Sequence, residues 1–106
     1  MKRIFILYPN TNGNWFNMDY YISNHVPLVW RCMEPYGMEK IEMDMGIAGL
    51  NGPAPYFAIA SMTFRTLEQF QKAMEAEGKT LTDDIPNYTR DFVVQIGETV
   101  ELMQHV

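Results

Sequence analysis

Along this chain the hydrophobic positions alternate with polar ones, then recur in helical steps, then alternate again, and the changes of period mark out six elements. Lys2 to Tyr8 is a short Ile, Phe and Leu run closed by Pro9-Asn10-Thr11-Asn12-Gly13-Asn14, where Pro and Asn-Gly punctuate a turn, so it predicts strand one. From Asn17 the step becomes three and four. Met18, Tyr21, Ile22, His25, Val26, Val29 and Met33 then lie on one stripe, which predicts a helix from an Asn17 or Asp19 cap to about Glu34. Pro27 sits inside that helix, offers no N–H to the Ser23 carbonyl and biases Val26 away from helical dihedrals. A kink or break is therefore expected near His25.

Met38 to Met45 returns to period two, with Ile41, Met43 and Met45 against Lys40, Glu42 and Asp44, and predicts strand two. Three glycines and two prolines between Gly46 and Pro55 read as a hinged loop, a candidate lid. Tyr56 to Phe64 predicts strand three. A second helix is expected from a Thr66 cap with Gln69 at the capping-box position, ending at Gly78. A loop from Thr80 to Thr89 then leads into strand four, Arg90 to about Gly97, with Val100 to Met103 as a candidate extension. This order is the split βαβ arrangement: an α+β, ferredoxin-like βαββαβ sandwich spanning 1–106 as one domain, with right-handed crossovers between parallel neighbours.

Two helices cover one sheet face, yet strands one, three and four are apolar on both. Ile4 and Ile6 back onto Phe5 and Leu7, and Phe92, Val94 and Ile96 back onto Val93. An apolar sheet face of that size calls for a cover, and a twofold homodimer closing two sheets into a barrel supplies one. Composition narrows the partners. Of 106 residues 47% are hydrophobic and 20% charged, and the net charge of −5 without a Lys/Arg cluster disfavours nucleic acid. No apolar run reaches the roughly 18 residues of a membrane span, and Ile4 to Tyr8 is too short for a signal segment. The single Cys32 excludes an intrachain disulfide and fits a cytoplasmic setting.

Two blocks carry a family likeness. Tyr8-Pro9-Asn10, Trp15-Phe16-Asn17-Met18-Asp19-Tyr20-Tyr21 and His25-Val26-Pro27-Leu28 form the first. Ala54-Pro55-Tyr56, Phe64 and Asp83-Asp84-Ile85-Pro86-Asn87-Tyr88-Thr89 form the second. In order and spacing the chain resembles the EthD-like family, named for ethyl tert-butyl ether degradation. The resemblance implies a small dimeric α/β barrel. Asn17 stands where that family commonly has Asp, which removes one carboxylate near the first helix.

His25 is the sharpest chemical candidate, the one histidine outside the C-terminal tail and on the apolar stripe beside a proline. A neutral imidazole there can act as base or acid near pH 7, or simply hold the kinked helix by a hydrogen bond. Asp84, with Asp83, could pair with it, and the competing reading is a cap for the Ile85-Pro86-Asn87 turn. Tyr8, Phe16, Tyr21, Tyr88 and Thr89 are the candidate substrate-binding residues, lining an apolar pocket with hydroxyls as polar handles, while core packing is their alternative role. Cys32 reads as a small buried hydrophobe and the nine methionines as packing. No dinucleotide fingerprint, Walker motif, H-E-x-x-H or paired metal-ligand spacing occurs, so no cofactor and no metal is expected. These readings point to a cofactor-independent enzyme doing proton-transfer chemistry of the isomerase, cyclase, lyase or oxygenase type on a hydrophobic or aromatic catabolic intermediate. A non-catalytic carrier of a small hydrophobic molecule and a haem-binding barrel with His25 as ligand are the alternatives.

Overall fold

The alternating segments assemble into a four-stranded sheet of order β2-β3-β1-β4 in a computed structural model that describes residues 1–105. The strands are β1 (Lys2–Pro9), β2 (Lys40–Met45), β3 (Tyr56–Phe64) and β4 (Val93–Glu98), and every hydrogen-bonded pair is antiparallel. Each helix joins two strands that run the same way with a third strand between them. The expected parallel neighbours are therefore absent, although the split βαβ order itself is as read.

Register sorts the strand residues onto two faces. Ile4 pairs with Met62 and Ile96, Ile6 with Ala60 and Val94, and Tyr8 with Ala58, so these share the face covered by the helices. Phe5, Leu7, Ile59 and Val93 share the other. On that far face the Arg3 guanidinium lies 4.8 Å over the Phe5 ring and donates to Ser61 Oγ. The helices leave β4 uncovered: Val93, Val94 and Ile96 are 49–55% exposed.

The first helix differs from expectation in an instructive way. Asn17 caps it, its Oδ1 accepting the Tyr20 N–H, and it then runs without a break through Met18–Tyr20, a π-helical turn at Tyr21–His25, an α-helix at Val26–Met33 and a 3-10 turn at Glu34–Tyr36. The Val26 N–H reaches back to the Tyr21 carbonyl, one residue further than in an α-helix. Widening the turn by one residue accommodates the proline ring and the donor it lacks, so Pro27 deforms the helix without ending it.

The second helix, Leu67–Asp84, passes Gly78 and runs six residues beyond the expected stop. Its start is as read: Thr66 and Gln69 form the reciprocal capping box. Gly78 has no left-handed dihedral and is buried against Met74, while Leu81 carries the apolar stripe on into the core. One interior glycine costs about 1 kcal/mol, less than burying Leu81 returns. A 3-10 turn at Ile85–Asn87 follows, replacing the expected loop.

Strand four begins at Val93 rather than Arg90 because Asn14 takes the preceding backbone. Its buried amide donates to the Pro9 and Asp91 carbonyls and accepts from the Arg90 and Asp91 N–H groups. The strand stops at Glu98, paired with Lys2, and residues 100–103 do not extend it. Two core clusters result. Ile4, Val29, Met33, Met62, Phe64 and Phe70 anchor an aliphatic one between helices and sheet, and Tyr8, Tyr21, Ala58, Ala60 and Tyr88 form an aromatic one at the end of the sheet.

The glycines give opposite stability predictions. Gly37 ends the first helix at φ 110°, and a Cβ there would lie 2.6 Å from the Gln69 amide. Gly37→Ala should cost about 1–2 kcal/mol or more. Gly78→Ala meets only the flexible Met74 methyl and should stabilise by about 0.5 kcal/mol. Urea unfolding of both variants checks the pair, and a stabilised Gly37→Ala would contradict the geometry.

Candidate functional site

The π-turn sets Tyr21 and His25 side by side on the buried face of the first helix, and Asp84 arrives opposite them as the last residue of the second helix. His25 Nδ1 lies 2.9 Å from Asp84 Oδ2, with the two side chains 7% and 16% exposed. Asp84 also accepts from the Tyr20 hydroxyl at 2.6 Å and the Asn87 amide at 3.0 Å, both on Oδ1. It makes no cap to the following turn, so the capping role read as its alternative is not the one it takes. Asp83 points away and pairs with Lys79.

Charge and proton positions follow from these contacts. Burial pushes Asp84 up, but the hydrogen bonds from Tyr20, His25 and Asn87 outweigh it and hold the carboxyl below its ordinary value. An ionised carboxylate only accepts, so Nδ1 of His25 carries the proton and donates. Burial lowers the His25 pKa from 6.5 and the Asp84 contact only partly restores it, which keeps the imidazole neutral at pH 7. Its Nε2 then bears a lone pair. That nitrogen has no protein partner, and no fully buried polar atom among the described residues lacks one, so Nε2 borders accessible space.

The accessible space is a cavity of about 130 Å³ between the helices and the sheet. Its wall is almost wholly aliphatic and aromatic, with His25, Tyr8, Tyr21 and Tyr88 gathered at one end. The exposed lining residues Thr82, Phe92 and Val94 mark its mouth along the uncovered β4 edge. A cavity of roughly 150 Å³ accepts benzene, so this one suits a single ring and not a porphyrin. A wider groove at the other end of the sheet, lined by Arg3, Glu39, Lys40 and Glu42, is open and of mixed charge.

The tyrosines form one hydroxyl cluster. Tyr8 and Tyr88 share a hydrogen bond of 2.9 Å, and the Tyr88 ring centre lies 4.4 Å from that of His25. Burial raises all three phenol pKa values far above neutrality, with Tyr88 adding to it at Tyr8 and Tyr8 adding to it at Tyr21. They are therefore permanent donors, not bases.

Of the sequence candidates, His25, Tyr8, Tyr21 and Tyr88 meet in the cavity wall and Asp84 stands directly behind His25. Phe16 and Thr89 do not line it. Phe16 packs behind the phenols, 4.8 Å from Tyr8 and 5.2 Å from Tyr21, and bridges to Thr89. The fully buried Thr89 hydroxyl bonds the Trp15 carbonyl and pins the loop instead. Nor does any residue of 46–55 border the cavity, so the glycine-rich loop is not its lid in this conformation. Tyr20, one of the aromatics suited to a pocket wall, instead donates to Asp84, and Asn87 and Asn14 carry roles that the sequence pattern does not point to. Asn87 follows Asp84 by three residues, a spacing that lets its amide turn back, and this was the one signal available.

Among the described residues no group of three or more His, Cys, Asp or Glu side chains is arranged to hold a metal ion. Nor is any described helix long and apolar enough to cross a membrane.

No curated protein matches the chain. Solved structures do. An EthD-like protein from Ralstonia eutropha JMP134 is 29% identical with a TM-score of 0.86, over 94% of this chain and 92% of that one. An ethyl tert-butyl ether degradation (EthD) family protein from Bacillus halodurans C-125 is 21% identical with a TM-score of 0.76, over 94% and 99%. HapK from Hahella chejuensis is 12% identical with a TM-score of 0.62, over 100% and 99%, a likeness of fold alone. The EthD domain model matches residues 17–91, a span that holds His25, Asp84 and Tyr88, and the chain belongs to the EthD family.

Proposed function

We propose that this protein is a cofactor-independent enzyme that moves a proton to or from carbon in a small hydrophobic or aromatic catabolic compound. His25 is the base and then the acid, and Asp84 is its positioning residue. The observation that carries the reading is the 2.9 Å contact of His25 Nδ1 with Asp84, which leaves the opposite ring nitrogen unprotonated at an apolar, ring-sized cavity. Abstraction from carbon needs an unprotonated base and is helped by shielding from water, and burial of the neutral imidazole supplies both here. One route to each of isomerase, cyclase, lyase and cofactor-free oxygenase chemistry begins with such a step.

Deuterium exchange into cyclohexanone and nitroethane in D2O, followed by NMR, tests the base. Exchange should fall about 10²–10⁴-fold in His25→Ala assayed below its melting temperature, which is itself lowered because Asp84 loses a donor. Because His25 acts unprotonated, the wild-type rate should rise through a midpoint below 6.5 and stay level into alkaline pH, no cavity phenol titrating there. Asp84→Asn removes the interactions that raise the His25 pKa, so it should lower both the plateau and the midpoint. Wild-type binding of these probes with exchange no faster than buffer would favour a non-catalytic carrier. Full exchange in His25→Ala would remove His25 from the mechanism.

The working unit of this reading is a homodimer in the cytoplasm, in keeping with the free, buried Cys32. Phe5, Leu7 and Ile59 on the far sheet face, with the exposed Val93 beside them, make an apolar surface suited to a second copy. Light scattering should give twice the 12.3 kDa chain mass. Val93 is 55% exposed in the single chain, so Val93→Arg should leave the fold intact and yield monomers, since pairing would bury an uncompensated charge. A wild-type monomer at micromolar concentration would contradict the dimer.

A further inference from the structure

We infer that the hydroxyls of Tyr8 and Tyr88 form a donor site for the carbonyl oxygen of the substrate, which makes the substrate class a single-ring ketone or lactone with a removable α-proton. This inference rests on His25 being the base.

Each phenol carries one donor proton. The 2.9 Å Tyr8–Tyr88 bond uses one of their two protons, so the pair retains one donor that it does not satisfy between its own hydroxyls. No other protein acceptor bonds these hydroxyls among the described residues, and both residues line the cavity. The surplus proton is thus free for an acceptor in the cavity, a water in the resting protein or a ligand oxygen that displaces it. At the same end His25 Nε2 presents an unpaired acceptor, its ring 4.4 Å from that of Tyr88. One acceptor and one donor in an otherwise apolar wall complement a molecule that offers an acidic C–H and an oxygen on the neighbouring carbon.

The step balances without a further reactant. Nε2 takes the α-proton, the C–H electron pair becomes the C=C bond of an enolate, and the carbonyl π pair moves onto oxygen, where the phenol hydrogen bond strengthens. The imidazolium then returns its proton to carbon. Because burial keeps the phenols from ionising, they donate to the oxyanion rather than compete with it.

Benzaldehyde has a carbonyl and no α-hydrogen, so it reports on the donor site whether or not His25 is a base. Styrene is its counterpart without oxygen. In the wild type the infrared carbonyl stretch of bound benzaldehyde should lie below its position in hexane, and benzaldehyde should bind roughly two- to tenfold more tightly than styrene. Tyr8→Phe with Tyr88→Phe should abolish the band shift and equalise the two affinities while styrene still binds. His25→Ala should keep the shift, because neutral His25 has no Nε2 proton to donate. A shift that survives the double variant, or is lost in His25→Ala, would overturn the inference. If the double variant does not fold, the wild type decides: a bound carbonyl at its hexane position is a refutation.

Discussion

A carboxylate taken out of water must be met by donors, and the arrangement at Asp84 depends on that requirement. Three side chains answer it: Tyr20 and Asn87 on one oxygen, His25 on the other. Because the first two hold Oδ1, Oδ2 is left for the imidazole, and the orientation of the His25 ring follows. The contact also ties the first helix to the end of the second, whose continuation past Gly78 delivers Asp84 to the site. Removal of any donor would leave a lone pair unmet in a poorly solvated place, a loss larger than the hydrogen bond itself contributes.

His25 faces the cavity because of the helix, not the carboxylate. Tyr21 and His25 stand four residues apart and so share one helix face, and both stay buried across the π-turn that carries one extra residue. Pro27 makes the widened turn acceptable, since a regular helix at that point would meet a missing donor and a steric clash. The imidazole thus keeps its place although the backbone beside it is irregular. The aromatic cluster packs around it and keeps the surrounding dielectric low.

What could be read in advance divides along physical lines. Strand three and the Thr66 capping box were legible because period two and reciprocal capping are local rules, and both stand as read. Gly78 misled because a glycine ends a helix only where the chain needs a left-handed dihedral, and the pull of Leu81 on the far side is tertiary. The start of β4 was hidden for a similar reason: Asn14 lies in a turn some seventy residues earlier and claims the Arg90 and Asp91 backbone. The apolar stripe and the proline pointed to His25, but the partner it would find, and which of Asp83 and Asp84, depended on where the second helix ended. Thr89 and Phe16 looked like pocket residues because the same side chains suit a pocket and a packed loop equally well.

The account turns on the tautomer and charge of one ring. Long-range 1H–15N NMR of histidine-labelled protein, titrated with acid, observes both at His25. The account predicts a neutral ring at pH 7 with the proton on Nδ1, an unprotonated Nε2, and a midpoint below 6.5. A proton on Nε2, or a ring still charged at neutral pH, would contradict it.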